Sequence, residues 1–513
     1  MTPAWARWAM PSIADLIFIA ILAVLVLTPL SVKLLNDAGI GWHIRTGQQI
    51  LATHSIPRVD PFSSQIRKPW IAWEWLYDVV VGEMERSAGL NGVVWFTAVV
   101  IGVTFAALFR MLLRRRANLL VALVMTLLGI SASMIHFLAR PHVLSWLFAL
   151  LSFWILDSTD GLRQERARRL WILPLLMVIW VNVHGGFLLG FVLLAIYWLE
   201  SLGTWMRAKD SRVEDVLEKI AAGKRLRELT LAGLVTAVAS LVNPYGWNLH
   251  AHIYSYLTNR FFMEHIEEFQ SPNFHGIAQK CFLVILLIAV ATLAACGRKL
   301  RVGQTLLLLF AIYAGLYSSR NIPIASIFLV LIVAPMIPSI GFGTFSQRMT
   351  DQDSILHGHI WPVVALVAAL AIALNSGRMG SAQLMNAHFD SQRMPVGAVT
   401  FVEQSGIHGP VLSPDYWGGY LIYRLFPHTS VVIDDRHDFY GERILRGYLT
   451  TMHGEPGWGK FLERSGCLVL PRKAALSTVL SSSSEWKSVY ADDLATVFVR
   501  ARPSEDRDRA TSQ

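Results

Sequence analysis

Long apolar runs recur along most of the chain, and most of them are about 17–25 residues long and therefore long enough to cross the hydrocarbon core of a membrane, while several are short for single spans. No small-residue cleavage site follows the first run, so we expect a retained signal anchor. Together the runs predict a polytopic α-helical membrane protein with about 11 transmembrane helices in residues 1–375. The runs lie near 13–35, 92–112, 118–136, 142–157, 170–184, 186–206, 229–243, 276–296, 302–318, 322–338 and 358–375.

The pattern changes after about residue 376. Short β-type runs bounded by turn residues alternate with segments that have helical spacing of apolar residues. This alternation predicts a small α/β domain over 376–502, large enough for its own core, followed by a disordered charged tail at 503–513. The β-type runs lie at 409–414, 420–423, 430–434, 467–471 and 496–500, and the helical segments at 395–405, 440–452 and 456–465.

Composition and charge agree with this architecture. Apolar residues make up 54% of the 513 residues and charged residues only 16%, a balance that soluble globular chains do not approach. The net charge of +9 comes largely from Lys and Arg in every second loop, which marks those loops as cytoplasmic. A nucleic-acid partner is not expected, because it would need these charges on one folded surface. The basic loops lie at 110–116, 163–169, 207–227 and 298–301.

This orientation puts the N terminus in the cytoplasm. The loops 36–91 and 244–275 and the C-terminal domain then lie on the extracytoplasmic side. The three cysteines have the spacing of neither a disulfide framework nor a zinc site.

The first external loop, 36–91, is predicted to be an ordered cap at the membrane interface. Gly41 to Thr53 and Trp70 to Glu85 are two plausible helical pieces, and the second is rich in Trp. An indole can bury its ring in the interface and keep its N–H in water. Asp37 is placed where the first span emerges.

The chain contains a series of short motifs that stretch over most of its length. They are Asp37 with Gly41-Trp42-His43, Gly47 and Ile50, His54 with Ile56-Pro57 and Asp60-Pro61-Phe62-Ser63, Trp70 with Glu74-Trp75-Leu76, Ala139-Arg140-Pro141-His142, Trp180-Val181-Asn182-Val183-His184-Gly185-Gly186, Asn243-Pro244-Tyr245-Gly246, Glu267-Glu268-Phe269-Gln270-Ser271-Pro272, Ser319-Arg320-Asn321-Ile322-Pro323, Tyr416-Trp417-Gly418-Gly419-Tyr420 and Ile433-Asp434-Asp435-Arg436-His437-Asp438-Phe439-Tyr440. Together these motifs resemble those of uncharacterised bacterial membrane proteins in the GT-C glycosyltransferase superfamily.

The resemblance implies a GT-C-like enzyme of the bacterial inner (cytoplasmic) membrane. Such an enzyme transfers a sugar from a polyprenyl-phosphate carrier to an external acceptor, which is a glycan, a lipid or a protein. It also implies a catalytic acidic residue at the start of the first external loop, and Asp37 occupies that place. Asn36-Asp37 departs from the superfamily, because it has one carboxylate where a tight pair is usual. A divalent-metal cofactor is therefore doubtful, and no other cofactor is expected.

The residue types suit this transfer independently of the resemblance. A carboxylate can accept the proton that an acceptor hydroxyl loses as it attacks the anomeric carbon. The leaving lipid phosphate needs donors at the membrane boundary, and a guanidinium stays charged and binds phosphate through two N–H groups. We predict Asp37 as the base with His43, Asp60 or Glu268 as helpers, and Arg140, His142, His184 and Arg320 as the lipid-phosphate-binding residues.

These candidates also have structural interpretations. Asp37 can be a solvated residue at a helix end, and Asp60 can form an Asx turn before a proline. Arg140 and Arg320 can be snorkelling membrane anchors without a ligand. His184 can be a satisfied helix-end histidine beside glycines that serve a tight turn.

For three other features a structural interpretation is favoured. Glu74 is expected on the solvated face of an interfacial helix. His250 and His252 with nearby carboxylates suggest zinc, but the helical spacing that would bring them together is missing, which favours a lid or structural loop over 247–275. Residues 434–438 follow a predicted strand, and we favour a hydrogen-bonded turn over a ligand site.

Two other classes of function stay open. A transporter or flippase for lipid-linked glycans would place charges inside the spans and use paired half-helices, whereas the charges here gather at external span ends. A non-enzymatic membrane scaffold of cell-envelope assembly would depend on 376–502 and tolerate the loss of Asp37.

Overall fold

The computed structural model describes residues 4–64, 68–157, 163–208, 212–297, 300–338, 343–407 and 409–501. The predicted disordered tail lies outside these residues. The chain divides into two compact units. The unit that we call the helical unit comprises Met1–Leu34, Trp73–Tyr77 and Ser87–Asn386, and the mixed unit comprises Leu35–Ala72, Asp78–Arg86 and Ala387–Gln513. Most of the first loop therefore clusters with the C-terminal segment.

The described residues are mainly α-helical, with strands only after residue 377. The helices are α1 (Ala4–Ala9), α2 (Ile13–Leu27), α3 (Leu30–Lys33), α4 (Ile40–Thr53), α5 (Trp75–Arg114), α6 (Leu119–Ser133), α7 (His142–Leu156), α8 (Arg163–Leu170), α9 (Ile172–Trp180), α10 (Leu188–Arg207), α11 (Val213–Ala239), α12 (Trp247–Thr258), α13 (Arg260–His265), α14 (Ile277–Ala295), α15 (Val302–Tyr317), α16 (Ile322–Val333), α17 (Gly343–Ser354), α18 (Ile360–Leu374), α19 (Val396–Gln404), α20 (Asp415–Leu425), α21 (His437–Tyr440), α22 (Glu442–His453), α23 (Gly459–Leu462) and α24 (Ala475–Ser481). The strands are β1 (Arg378–Met379), β2 (Ala382–Gln383), β3 (Val411–Leu412), β4 (Cys467–Pro471), β5 (Trp486–Ala491) and β6 (Ala495–Arg500).

Six described helical segments are long and apolar enough to cross a membrane, and three shorter apolar helices accompany them. The multi-helix, membrane-type architecture is thus as expected, while the count of about 11 spans stays a prediction. Helix α9 has 9 residues, too few to cross a bilayer alone. The six segments are Arg7–Leu27, Trp75–Arg114, Leu119–His136, Gly185–Arg207, Ile277–Ala295 and Ser319–Met336, and the shorter helices are α7, α15 and α18.

Helix α16 lies in the interior of the helical unit. It is apolar on every side, the pattern of a helix surrounded by other helices, and nearly all of its residues are buried. It contacts α6, α7, α14 and α15. Pro323 stands in its first turn, where a backbone N–H would have no intrahelical acceptor. The helix begins at Ile322, two residues after Arg320, which places the Arg320 side chain near a helix end.

Of the two helical pieces predicted in the first loop, the structure matches the first closely and the second only in part. The piece from Gly41 to Thr53 is α4, which begins one residue earlier. The piece predicted from Trp70 begins only at Trp75 and continues into α5. Gly89 interrupts α5 with φ 60°, a conformation that glycine adopts without steric cost.

The mixed unit contains a four-stranded sheet in the order β3-β4-β6-β5. The first pair is parallel and the other two pairs are antiparallel. Strands β4 and β6 coincide with the β-type runs predicted at 467–471 and 496–500. Cys467 lies on β4 and is fully buried.

The strand expected at 420–423 is wrong, because these residues belong to helix α20. Glycines let α20 approach α4 closely. A Cβ on Gly419 would lie 2.3 Å from the Ala38 carbonyl oxygen, and a Cβ on Gly41 would lie 2.2 Å from the Gly419 carbonyl oxygen. Close helix packing here outweighs the β propensity of the aromatic and branched residues.

A buried ion-pair network joins the first-loop and C-terminal parts of the mixed unit. Arg436 Nη1 donates to Asp60 Oδ1 at 2.7 Å, and Nε and Nη2 donate to the two oxygens of Asp434 at 2.8 and 2.7 Å. The Tyr440 hydroxyl also donates to Asp434, at 2.7 Å. The three charged side chains are at most 2% exposed. The guanidinium lies 4.7 Å from the centre of a Trp70 ring, so cation and carboxylates satisfy one another inside an aromatic shell.

Replacing Arg436 with Met should destabilise the mixed unit by about 3–5 kcal/mol, because it leaves two buried carboxylates without their cation. Urea-dependent pulse proteolysis of the full chain in detergent measures this free energy of unfolding. The control is Arg446→Met, which removes an exposed helical pair with Glu442 and should cost less than about 0.5 kcal/mol. Equal losses in the two variants would contradict the structural role of Arg436.

Candidate functional site

Arg320 lies in the segment that joins α15 to α16. The backbone N–H and the hydroxyl of Ser319 both donate to the Gln270 carbonyl oxygen, at 2.9 and 3.0 Å. These bonds fix the segment against the loop that follows α13. The Arg320 guanidinium lies 5.5 Å from the centre of the Phe269 ring and is 32% exposed.

His184 lies in the segment between α9 and α10, and its Nδ1 atom points inward. The Gly186 N–H donates to Nδ1 at 3.0 Å, and the Ser145 hydroxyl oxygen lies 2.8 Å from the same atom. Trp180 Nε1 donates to that hydroxyl oxygen at 2.7 Å. A Cβ on Gly186 would lie 2.5 Å from the hydroxyl oxygen, so the second glycine of the motif permits this close packing.

The short first-loop segment Trp73–Tyr77 belongs to the helical unit. Trp75 Nε1 donates to the Asn182 side-chain oxygen at 2.8 Å. Glu74 is 8% exposed, and its carboxylate lies 3.9 Å from His184 Nε2. The expectation of a solvated Glu74 is therefore wrong, because this segment packs on the Asn182 turn.

We call Arg320, His184, Glu74 and Glu268 the Arg320 cluster. Arg320 Nη2 lies 3.4 Å from His184 Nε2, and Nη1 lies 3.8 Å from the Glu268 carboxylate. Because the Gly186 backbone N–H donates to Nδ1, that nitrogen carries no proton and the imidazole is neutral.

The other two predicted phosphate-binding residues, Arg140 and His142, also belong to the helical unit. His142 Nε2 donates to the His136 carbonyl oxygen at 2.9 Å. The structure brings Arg320, His184 and Glu268 together, and the role of all four predicted residues in binding phosphate stays a prediction.

The remaining candidates belong to the mixed unit. Asp37 Oδ1 accepts the Gly39 N–H at 2.8 Å in the turn before α4. His43 Nδ1 lies 2.5 Å from the Asp78 carboxylate, and both side chains are 1% exposed. Asp60 is held in the ion-pair network described above. Burial raises its pKa, but the charge of Arg436 and the hydrogen bonds from Ser63 and Arg436 together outweigh burial and hold the pKa below the usual value. The role of Asp60 as a catalytic helper stays a prediction.

The His250-x-His252 loop does not form a zinc site in the described part of the chain. His250 Nε2 lies 3.0 Å from the Ser240 hydroxyl oxygen, and the ring stacks on Trp247. Across the described ranges, no group of three or more His, Cys, Asp or Glu side chains is arranged to hold a metal ion.

Solved structures resemble the fold of this chain, although no protein-family model and no curated protein sequence matches it. Archaeal oligosaccharyltransferase AglB from Archaeoglobus fulgidus, in complex with an inhibitory peptide and a dolichol-phosphate, matches with a TM-score of 0.55 at 10% identity. The match covers 96% of this chain and 74% of that one. The apo oligosaccharyltransferase from the same organism matches with a TM-score of 0.54 at 11% identity, over 90% and 69%.

The chain has a GT-C-type fold. The fold implied by the sequence motifs is therefore confirmed. ArnT from Cupriavidus metallidurans bound to undecaprenyl phosphate is a weaker match, with a TM-score of 0.47 at 11% identity over 95% of this chain and 97% of that one.

Ser145, which contacts His184, is not among the site residues predicted from the sequence. Trp180 and His184 are four residues apart in one motif, a spacing that hinted at a shared environment. Ser145 is 39 residues away from His184 and lies on α7. Nothing in the local pattern marks a single serine in an apolar helix as a partner of that histidine.

Hydrogen bonds hold residues 434–436 where the sequence favoured a turn, and His437 and Asp438 begin helix α21. Besides the Arg436 network, His437 Nε2 lies 2.7 Å from Asp415 Oδ2, and the Tyr448 hydroxyl donates to the other oxygen at 2.9 Å. Burial lowers the pKa of His437, but the hydrogen bond and charge of Asp415 outweigh it and raise the pKa above its usual value.

Because the pKa of His437 is raised on folding, its ion pair should stabilise the mixed unit fully below about pH 6.5 and lose effect as pH rises through the folded pKa. His437→Gln should lack this part of the pH dependence. Urea midpoints of the full chain between about pH 6 and pH 9 measure it. The control is the exposed His453→Gln, which should follow the wild type. A wild-type profile in His437→Gln would mean that the pair contributes nothing.

Proposed function

We propose that this chain is an integral membrane glycosyltransferase that moves a sugar from a polyprenyl-phosphate carrier to an extracytoplasmic acceptor. The observation that carries the proposal is the Arg320 cluster. A partly exposed guanidinium and a neutral imidazole lie 3.4 Å apart at the ends of apolar helices. Donors in this position suit the oxygens of a phosphate at a membrane boundary.

In the proposed reaction, the acceptor hydroxyl oxygen attacks the anomeric carbon while the Asp37 carboxylate takes the hydroxyl proton. The bond between that carbon and the carrier phosphate oxygen breaks, and the phosphate keeps the electron pair. Arg320 and His184 donate hydrogen bonds to the phosphate oxygens as their negative charge grows. Arg140 adds positive charge nearby, and His142 lines the same region.

The place of Asp37 in the chain and its own contact support it as the base. Asp37 follows the first apolar segment, Arg7–Leu27, which is long enough to cross a membrane. Its carboxylate oxygen Oδ1 accepts the Gly39 N–H at 2.8 Å, which orients the side chain in the turn before α4.

We assign positioning roles to the other predicted helpers. Glu268 lies 3.8 Å from Arg320 and orients its guanidinium. His43 pairs with Asp78 and Asp60 pairs with Arg436, so both hold the fold that presents Asp37.

Partners and location follow from the same proposal. The AglB structure contains a dolichol-phosphate and an inhibitory peptide. We propose that this chain likewise takes a polyprenyl-phosphate-linked sugar and an external acceptor that is a glycan, a lipid or a protein. The Lys and Arg pattern of the loops supports a bacterial inner-membrane protein with a cytoplasmic N terminus and a periplasmic domain over 376–502.

Asp37→Asn should lower sugar transfer at least about 100-fold, because an amide cannot accept the proton. The assay follows radiolabelled sugar leaving a panel of undecaprenyl-phosphate-linked hexoses in proteoliposomes. The control is Asp390→Asn, since Asp390 makes a similar turn with the Gln392 N–H at 2.9 Å. Full activity in Asp37→Asn would remove the base assignment. If the wild type transfers no sugar, and cells that carry Asp37→Asn keep a normal envelope, a flippase or a scaffold would be favoured.

Arg320→Gln should weaken binding of undecaprenyl phosphate about 10-fold or more, the effect of losing a charge-assisted hydrogen bond. Titration of the purified protein in nanodiscs gives the dissociation constant. Arg260→Gln serves as the control, because Arg260 is 90% exposed and pairs locally with Glu264. Equal affinity in both variants would exclude Arg320 from the phosphate site.

A further inference from the structure

Two donors occupy the inner nitrogen of His184. The Gly186 backbone N–H can only donate, and it donates to Nδ1 at 3.0 Å. The indole N–H of Trp180 also can only donate, and it uses the Ser145 hydroxyl oxygen as its acceptor. The Ser145 hydroxyl proton is then directed to His184 Nδ1 at 2.8 Å.

These contacts determine the tautomer of His184. An Nδ1 atom that accepts two hydrogen bonds carries no proton, so the neutral ring carries its proton on Nε2. Nε2 is then a donor and not an acceptor. The ring also cannot turn over without placing a C–H where two donors need an acceptor.

The outer nitrogen therefore presents an N–H group beside another donor. Arg320 Nη2 lies 3.4 Å from His184 Nε2, and two N–H groups cannot hydrogen-bond to each other. The Glu74 carboxylate lies 3.9 Å from Nε2, which is beyond hydrogen-bond length. Two neighbouring donors of this kind are best satisfied by one anionic oxygen that accepts from both.

We propose that His184 is a fixed hydrogen-bond donor that shares one phosphate oxygen with Arg320, with Ser145 and Trp180 as the residues that position it. The proposal deepens the proposed function and rests on it for the identity of the phosphate. A general base needs an unprotonated nitrogen that faces the substrate, so the proposal excludes a proton-transfer role for His184. The proton of the acceptor hydroxyl must therefore go elsewhere.

The first experiment observes the tautomer without any activity. Solid-state NMR of the full chain labelled with 15N-histidine in lipid should show His184 as the neutral Nε2–H form at about pH 7. The His184→Gln spectrum assigns the signal by difference. A neutral Nδ1–H form, or a charged ring, would overturn the proposal.

The second experiment compares His184→Gln with His184→Leu. The Gln amide can place an N–H close to the position of Nε2, whereas Leu has no donor. The ligand is citronellyl phosphate, a short-chain isoprenoid phosphate. Its affinity for the Gln variant should stay within about fivefold of that for the wild type, and its affinity for the Leu variant should fall further, as expected for one hydrogen bond to a charged group. Equal losses in both variants would overturn the donor role.

Inorganic phosphate is titrated in parallel to separate the two sources of a phosphate group. Inorganic phosphate could bind as tightly as citronellyl phosphate, with a binding that also weakens in His184→Leu. That result would support His184 and Arg320 as paired donors and would contradict the lipid carrier of the proposed function. If only citronellyl phosphate binds with this dependence, both proposals hold. If neither ligand depends on the donor, this inference fails.

The third experiment tests the positioning role of Ser145. Ser145→Ala removes one of two donors to Nδ1, so the 15N titration of His184 should move to higher pH and binding should weaken about fivefold. The control is Ser201→Ala, because Ser201 is similarly buried on α10 and its hydroxyl donates to the Tyr197 carbonyl oxygen of its own helix. An unmoved titration in Ser145→Ala would refute this role.

Discussion

The helical unit must satisfy every polar group where an apolar helix breaks, since hydrocarbon offers no partners. The segment between α9 and α10 shows how this is done. The Asn182 amide donates to the carbonyl oxygens of Val178 and Val242, both at 2.8 Å, and accepts from Trp75. His184 Nδ1 is used by Gly186 and Ser145. With its inner nitrogen committed in this way, the histidine presents Nε2 toward Arg320.

Two arginines show how burial and pairing distinguish structure from candidate chemistry. Arg436 is 2% exposed and bonds to two carboxylates, so its charge is neutralised and its donors are used within the protein. Arg320 is 32% exposed, and Glu268 lies 3.8 Å away, which is an ion-pair distance but not a hydrogen bond. This looser pairing of Arg320 suits the phosphate binding that we propose. The same residue type therefore serves stability in one unit and the proposed binding in the other.

The similarity to the AglB structure, at 10% sequence identity, indicates a shared fold but does not indicate a shared reaction. The long apolar helices and their order follow from composition, which tolerates almost any exchange among Leu, Ile, Val and Phe. A donor pair or a base depends on single atoms within a few tenths of an ångström. The Arg320 cluster, and not the fold likeness, therefore carries the functional proposal.

The sequence by itself determined the membrane-type helical architecture, the strands at 467–471 and 496–500, and which polar motifs stand at helix ends, because hydropathy and local periodicity are properties of short segments. Only the tertiary structure decided which motifs meet. It turned 420–423 into a helix through close glycine contacts, buried Glu74 beside His184, and paired Asp60 with Arg436 across 376 residues. It also supplied Ser145 as a partner of His184. The physical reason is that a hydrogen bond between distant segments leaves no trace in the local pattern of either one.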